Sequence, residues 1–121
     1  MKIWTVENES LVKLLPPLPQ FSSSVMALSW VGLDCKSNEG LLAVGMENGL
    51  IELWNLSVKR SDDGVAGAVA SLVVRLEPLM CHVSAVNRLA WRNCKNEDSG
   101  SFQLASCGAD QCVRVFEVNI N

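Results

Sequence analysis

The sequence predicts an all-β fold built from repeated antiparallel units. One pattern occurs twice, at residues 42–54 (LAVGMENGLIELW) and at residues 104–116 (LASCGADQCVRVF). In each copy, two apolar runs flank a polar centre that contains glycine and, in the second copy, also aspartate. This pattern is typical of two short strands around a tight turn. A further apolar run lies upstream of each copy and ends at Trp30 or at Trp91. We therefore expect at least three consecutive strands in each unit.

The spacing of these units indicates a partial β-propeller. Trp30 and Trp91 lie 61 positions apart, whereas an uninterrupted blade repeats about every 40 to 45 residues, so the excess is expected in loops. A ring needs at least about four blades of four strands each, and 121 residues supply about two and a half. We expect three regions: the end of a truncated blade, a full blade, and a three-stranded terminal blade that ends naturally, at residues 1–20, 21–80 and 81–121.

Turn-forming residues set the first strand boundaries. A strand at residues 11–15 should end at the prolines that follow it, because proline lacks the amide donor that a sheet needs. The next blade begins at residues 24–30. Asn48 and Gly49 form the dipeptide that most readily adopts the positive φ angles of a two-residue hairpin turn. We expect this need for positive φ at Gly49 but not at Gln111.

The remaining segments are assigned as loops and one outer strand. Residues 31–40 and 92–101 are polar and follow a tryptophan in each repeat, so both are predicted surface loops. A charged loop containing Asp62 and Asp63 should open the segment 56–70, before an outer strand at residues 71–76. Paired carboxylates of this kind are expected to be solvated, although loops can also contact partners.

Composition and charge exclude several classes of function. Ten lysines and arginines against 13 acidic residues give a formal charge of −3, and no basic run suits phosphate binding, so direct nucleic-acid binding is not expected. The most apolar stretch, residues 65–74, is about half the roughly 20 residues that span a bilayer. No signal-peptide core follows Met1. We expect no membrane partner and a cytoplasmic and nuclear location.

His82, Ser106 and Asp110 are the residue types of a hydrolase triad. A serine nucleophile must sit on an exposed sharp turn with oxyanion donors beside it. Ser106 instead lies within a predicted strand, between Ala105 and Cys107. A structural role is therefore favoured over catalysis, and we expect no catalytic residues and no small-molecule substrate.

These positions resemble the WD-repeat propeller family. That family places His, Ser or Thr, Asp and Trp where this chain has His82, Ser106, Asp110 and Phe116, and uses them as a buried hydrogen-bonded brace. A satisfied buried network fixes one packing arrangement. Phe116 departs from the pattern because it lacks the indole N–H donor.

The preceding repeat departs further from that pattern. It keeps Trp54 but has Phe21, Val44 and Asn48 at the polar places, so apolar packing should hold that blade. The strand-ending tryptophans are expected in the blade cores; they are Trp30, Trp54 and Trp91.

Cysteine chemistry is a further alternative. The chain has five cysteines, an odd number without framework spacing, which favours a reducing compartment. No C-x2-C pair typical of zinc sites occurs, and strand cysteines usually behave as small apolar residues. We expect no metal and no other cofactor.

Three segments resemble the C-terminal blades of the second-subunit family of the Elongator complex: residues 42–49 (LAVGMENG), 81–94 (CHVSAVNRLAWRNC) and 104–116 (LASCGADQCVRVF). The resemblance implies a non-catalytic scaffold that contacts other Elongator subunits in the modification of transfer RNA wobble uridines, with links to transcription. A generic WD-repeat adaptor of another assembly, such as a ubiquitin-ligase receptor, is the alternative. A small enzyme using His82 is the third hypothesis.

Overall fold

The computed structural model describes residues 4–7, 10–14, 20–33, 39–61, 64–93 and 101–120. In these ranges the chain forms nine strands and one short 3₁₀ helix at Pro78–Met80. The strands are β1 (Trp4–Glu7), β2 (Ser10–Leu14), β3 (Val25–Gly32), β4 (Glu39–Met46), β5 (Ile51–Ser61), β6 (Gly64–Arg75), β7 (Val86–Asn93), β8 (Ser101–Gly108) and β9 (Val113–Asn119).

The strands form three antiparallel sheets in which each strand pairs with its neighbour in the chain. Their orders are β1-β2, β3-β4-β5-β6 and β7-β8-β9. The four-stranded sheet and the three-stranded sheet confirm the predicted all-β, partial propeller fold. The boundaries at residues 20 and 80 between the predicted blade regions stay predictions.

The outer hairpin of the four-stranded sheet is longer than the sequence suggested. The charged loop predicted to open the segment 56–70 is wrong, because β5 continues to Ser61 and β6 already begins at Gly64. The outer strand predicted at residues 71–76 is present as the second half of β6, which ends at Arg75. β-Branched residues such as Val65 and Val69 suit a strand, but the glycines and alanines between them give a weak strand signal. Asp62 and Asp63 lie outside the described residues.

The predicted surface loops are shorter than expected. Strand β3 runs to Gly32 and β4 starts at Glu39, while β7 runs to Asn93 and β8 starts at Ser101. The strands therefore extend into both predicted loops. The centres of those loops, at residues 34–38 and 94–100, lie outside the described residues, as do the prolines after β2.

The main core lies between the second and third sheets. One cluster joins β4 and β5 of the second sheet to β7, β8 and β9 of the third, through Ala43, Ile51, Leu53, Cys81, Val86, Leu104 and Phe116. The packing is close enough that a Cβ atom on Gly45 would lie 2.6 Å from Val86 Cγ1. The indole N–H of Trp91 also donates to the Ser29 carbonyl oxygen at 3.0 Å. Apolar contact and this hydrogen bond thus help to join the two sheets.

The opposite face of the second sheet is covered only in part. Leu42, Val44, Met46 and Trp54 are buried there, with Phe21 packed edge-on against Trp54 at 5.9 Å between ring centroids. The expectation that Trp30 lies in a blade core is wrong, because its side chain is 45% exposed. It lies on β3, the first strand in the sheet order, where alternate residues face away from the main core.

The hairpin between β4 and β5 has a three-residue loop rather than the predicted two-residue turn. The Gly49 amide donates to the Met46 carbonyl and the Met46 amide donates to the Leu50 carbonyl, both at 3.0 Å. Gly49 alone takes positive φ in this loop, at 91°. This is the pattern of a β-turn followed by one residue in the left-handed conformation. Glycine is therefore favoured at that one position rather than at both central positions of a two-residue turn.

The hairpin between β8 and β9 repeats this geometry with a different residue. Gln111 has a φ of 65°, the Gln111 amide donates to Gly108, and the Gly108 amide donates to Cys112. The expectation that only Gly49 needs positive φ is therefore wrong. Gly49 differs in another way: a Cβ there would collide with the His82 carbonyl oxygen and lie 2.9 Å from the Ser84 carbonyl oxygen.

These turns predict different effects of substitution. We expect Gly49→Val to lower the free energy of unfolding more than Gln111→Val, because only the first adds a collision with backbone to the strain of a left-handed residue. Gln111→Gly should raise the free energy of unfolding by up to about 1 kcal/mol by relieving that strain. Urea unfolding of the three variants measures this order, and a Gln111→Gly variant less stable than the parent would contradict it.

Candidate functional site

The candidate site begins with the position of His82. The chain leaves β6, forms the 3₁₀ helix at Pro78–Met80 and reaches His82 before β7. The His82 amide donates to the Gly49 carbonyl at 3.2 Å. This hydrogen bond connects the loop to the hairpin between β4 and β5 of the four-stranded sheet. The imidazole is fully buried, with a side-chain exposure of 0%. Both ring nitrogens must therefore find partners within the protein.

The structure brings His82 together with Ser106 and Asp110. The ring Nδ1 lies 2.9 Å from Asp110 Oδ1 and 3.1 Å from Oδ2, and Nε2 lies 2.8 Å from Ser106 Oγ. An ionised carboxylate can only accept, so Nδ1 carries the proton that it donates to Asp110. In the neutral ring, Nε2 then accepts from the Ser106 hydroxyl. The imidazole bridges the last hairpin turn to the middle of β8.

Asp110 organises the backbone as well as the histidine. Its Oδ2 accepts from the Val83 amide and its Oδ1 accepts from the Cys112 amide, each at 3.1 Å. Desolvation raises the pKa of Asp110, but the hydrogen bonds from His82, Val83 and Cys112 outweigh it, so the pKa lies below its ordinary value of 3.8. The carboxylate is therefore ionised at neutral pH and holds two loops together.

The three side chains have the connectivity of a hydrolase triad but not its accessibility. Ser106 is 2% exposed and lies in the middle of β8, on the side that faces the main core. The site is also tightly packed, since a Cβ on Gly108 would lie 2.7 Å from His82 Nδ1. A nucleophile must reach its substrate and an oxyanion needs preorganised donors. The buried Ser106 hydroxyl cannot reach a substrate. Its hydrogen bond to His82 stabilises the fold instead.

Phe116 contributes no hydrogen bond to this network. It is buried in the main core and pairs with Leu104 across β8 and β9. A phenyl ring has no donor or acceptor, so its contribution is apolar packing. The sequence pattern placed Phe116 in the same repeat unit as the other three, and the structure separates it from them chemically.

A second buried network was missed in the sequence. Glu52 is buried in β5, where Oε2 accepts from the Trp54 indole N–H at 3.1 Å and Oε1 accepts from Arg75 Nε at 2.8 Å. Glu52 and Trp54 are two positions apart and so share one face of the strand. The available signal was a single carboxylate between Ile51 and Leu53 in an otherwise apolar strand, since such a charge must be paired.

The first repeat also keeps part of the turn chemistry. Asn48 Oδ1 accepts from the Leu50 amide at 3.1 Å, as Asp110 does from the amide two residues later. The Asn48 amide donates to Ser23 Oγ at 3.1 Å. Asn48 therefore caps its own turn, while Val44, at the place of Ser106, is fully buried among apolar neighbours. Apolar packing holds this repeat, as expected, with the Glu52 pair added.

The cysteines do not form a cluster in the described part of the chain. Cys81 is buried, Cys107 is half-buried and Cys112 is exposed, and all three are free thiols. Burial raises the pKa of Cys81, against smaller lowering effects of a backbone hydrogen bond and the Arg114 charge, so this thiol stays protonated. Within the described ranges, no group of three His, Cys, Asp or Glu residues could hold a metal ion.

The secondary structure bears on membrane association in one respect. Among the residues described, no helix is both long enough and apolar enough to cross a bilayer.

Comparison with known proteins gives consistent matches along nearly the whole chain. Elongator complex protein 2 of Arabidopsis thaliana is 53% identical over 119 residues, covering 96% of this chain. The protein of the same name is 27% identical over 100% of the chain in Dictyostelium discoideum and 32% identical over 81% in Danio rerio. No protein-family model matches the chain.

The matches involve a small part of each relative. The chain spans 14% of the Arabidopsis and Dictyostelium proteins and 13% of the Danio protein. The chain, whose antiparallel sheets have the arrangement of partial β-propeller blades, is therefore similar to a short part of Elongator complex protein 2.

Proposed function

We propose that this chain is a non-catalytic scaffold and protein-interaction segment of an Elongator-type complex, which acts in the modification of transfer RNA wobble uridines and has links to transcription. The observation that carries the proposal is 53% identity to Elongator complex protein 2 of Arabidopsis over 96% of the chain. The alternative of an adaptor in an unrelated assembly is not favoured by the matches.

The geometry supports a scaffold role because the polar side chains of the candidate site form their hydrogen bonds within the protein. Hydrogen bonds connect the side chains of His82, Ser106 and Asp110 to one another, and Asp110 also accepts from two backbone amides. Such a brace, with Phe116 packed beside it, would hold the terminal hairpin and the loop before β7 in one arrangement. Loops on a rigid scaffold suit recognition of other proteins.

The proposed partners are the other subunits of the complex, and the proposed location is the cytoplasm and the nucleus. The formal charge of −3 supports protein contacts over direct binding of the transfer RNA, since phosphate binding requires clustered basic residues. No catalytic residue, cofactor or small-molecule substrate is proposed for this segment. The modification chemistry would lie on other subunits.

Affinity purification tests the proposal. The tagged full protein should recover the other Elongator subunits from cells of its own species, and cells lacking it should lose wobble-uridine modification in transfer RNA. A variant with His82→Ala should lose both through misfolding, whereas Arg92→Ala, at an exposed position on β7, serves as a folded control. Normal wobble-uridine modification in cells without the protein would contradict the proposal.

The brace predicts a specific cost for removing its hydroxyl group. Ser106→Ala should lower the free energy of unfolding by about 1 to 3 kcal/mol, because His82 Nε2 would be left buried without a partner. Ser71→Ala, at an exposed position on β6, should change it by less than about 0.5 kcal/mol. Chemical denaturation measures both values, and equal stability of the two variants would argue against a brace.

The brace also predicts acid sensitivity. The pKa of Asp110 is lower in the folded protein than its ordinary value of 3.8, so at low pH the unfolded chain takes up the proton first. The ionised Asp110 carboxylate stabilises the fold fully at pH values above its ordinary pKa. This stabilisation is lost as the pH falls through the pKa that Asp110 has in the folded protein. Melting temperatures between about pH 6 and pH 2 should therefore fall more steeply for the parent than for Asp110→Asn.

The matched control for this titration is Glu47→Gln, which removes an exposed carboxylate from the other hairpin turn. It should keep the steep acid dependence of the parent protein. Parallel curves for the parent and Asp110→Asn would show that this carboxylate does not stabilise the fold.

A further inference from the structure

One end of the sheets carries four connecting segments that the hydrogen bonds bring together. The Glu47 amide donates to the Ser24 carbonyl at 2.8 Å, the His82 amide donates to Gly49, and the Ala109 amide donates to the Ala85 carbonyl at 2.9 Å. We call this surface the acidic rim; its segments are residues 20–24, 47–50, 76–85 and 108–112. It is formed by loops of both large sheets rather than by one loop.

Apolar side chains project from the centre of the acidic rim. Leu79 is 95% exposed and Val83 is 87% exposed, and Met80 between them is half-exposed. Single exposed apolar residues are common on protein surfaces, but these three occur within five consecutive positions of one short loop. We call them the apolar knob.

The loop that carries the apolar knob is anchored between Met80 and Val83. Cys81 and His82 are buried, the Cys81 amide donates to the Pro78 carbonyl at 3.2 Å, and the Val83 amide donates to Asp110 at 3.1 Å. Exposed apolar groups on a loop held in this way lose little conformational freedom on binding, which lowers the entropic cost of association.

The charged residues within the four segments have one sign, although the Arg114 charge acts on the buried Cys81 between Met80 and Val83. The four segments contain the carboxylates Glu47, Glu77 and Asp110 and no lysine or arginine, and the side chains of Glu47 and Glu77 are exposed. The nearest arginine preceding the loop, Arg75, is already paired with Glu52 at 2.8 Å. A surface that covers the knob would meet the exposed carboxylates of Glu47 and Glu77, so complementarity calls for basic groups on that surface.

We propose that the acidic rim is a docking surface for another protein subunit, whose apolar pocket, bordered by lysine side chains, receives Leu79, Met80 and Val83. This inference rests on the proposed function, because the partner is a subunit of the same Elongator-type complex. The knob supplies apolar contact area, and Glu47 and Glu77 orient the partner through its basic groups.

Cross-linking of the purified complex tests the charged part of the proposal. A carbodiimide joins a carboxylate to a lysine amine without a spacer, so Glu77 or Glu47 should appear in cross-linked peptides with a lysine of another subunit. The full protein within its assembled complex is used. Glu77→Gln combined with Glu47→Gln should abolish those peptides, while cross-links elsewhere in the complex serve as the internal control.

Paired substitutions test the apolar part. Leu79→Ser with Val83→Ser should lower retention of the protein in the complex about tenfold, equivalent to about 1.4 kcal/mol, and retention of the parent should fall as sodium chloride is raised from about 50 to 500 mM. Val69→Ser with Val115→Ser removes two exposed apolar side chains elsewhere and should leave retention unchanged. Thermal unfolding should show equal melting temperatures for both double variants.

The outcomes separate the docking surface from the proposed function. A parent protein that does not assemble with Elongator subunits overturns both. A parent protein that assembles while giving no rim cross-links, or a Leu79→Ser, Val83→Ser variant retained as well as the parent, overturns the docking surface alone.

Discussion

The arrangement of the last two connecting loops depends on one buried imidazole. His82 lies between the Asp110 carboxylate at 2.9 Å and the Ser106 hydroxyl at 2.8 Å, and Asp110 in turn accepts from the Val83 and Cys112 amides. Removing any member leaves buried polar groups unpaired, which costs more than the hydrogen bond itself gained. The same contacts that satisfy these groups also fix how the loop before β7 meets the hairpin after β8.

The two large sheets reach the same architecture by different interactions. The third sheet uses the His82 network, whereas the second uses apolar packing around Val44, with Phe21 against Trp54. The second sheet still buries one charge, because Glu52 accepts from the Trp54 indole and from Arg75. A propeller unit therefore does not require one particular set of polar residues, provided that each buried donor and acceptor is paired.

Much of the fold follows from the sequence because its signals are periodic and local. Repeated apolar runs predicted the strands, and the resemblance to WD-repeat propellers predicted that His82, Ser106 and Asp110 would meet. The length of β6, the exposure of Trp30 and the positive φ of Gln111 did not follow from the sequence. Small residues give weak strand signals, exposure depends on neighbouring sheets, and a left-handed glutamine has no residue-type signature.

The tautomer of His82 tests the central claim most directly. Nitrogen-15 chemical shifts of the imidazole, measured at neutral pH, report which ring nitrogen carries the proton. The account predicts a protonated Nδ1 with a proton that exchanges slowly with water, because it is buried and donates to Asp110. A neutral ring protonated at Nε2, or an Nδ1 proton in fast exchange with solvent, would contradict the buried network on which the terminal loops depend.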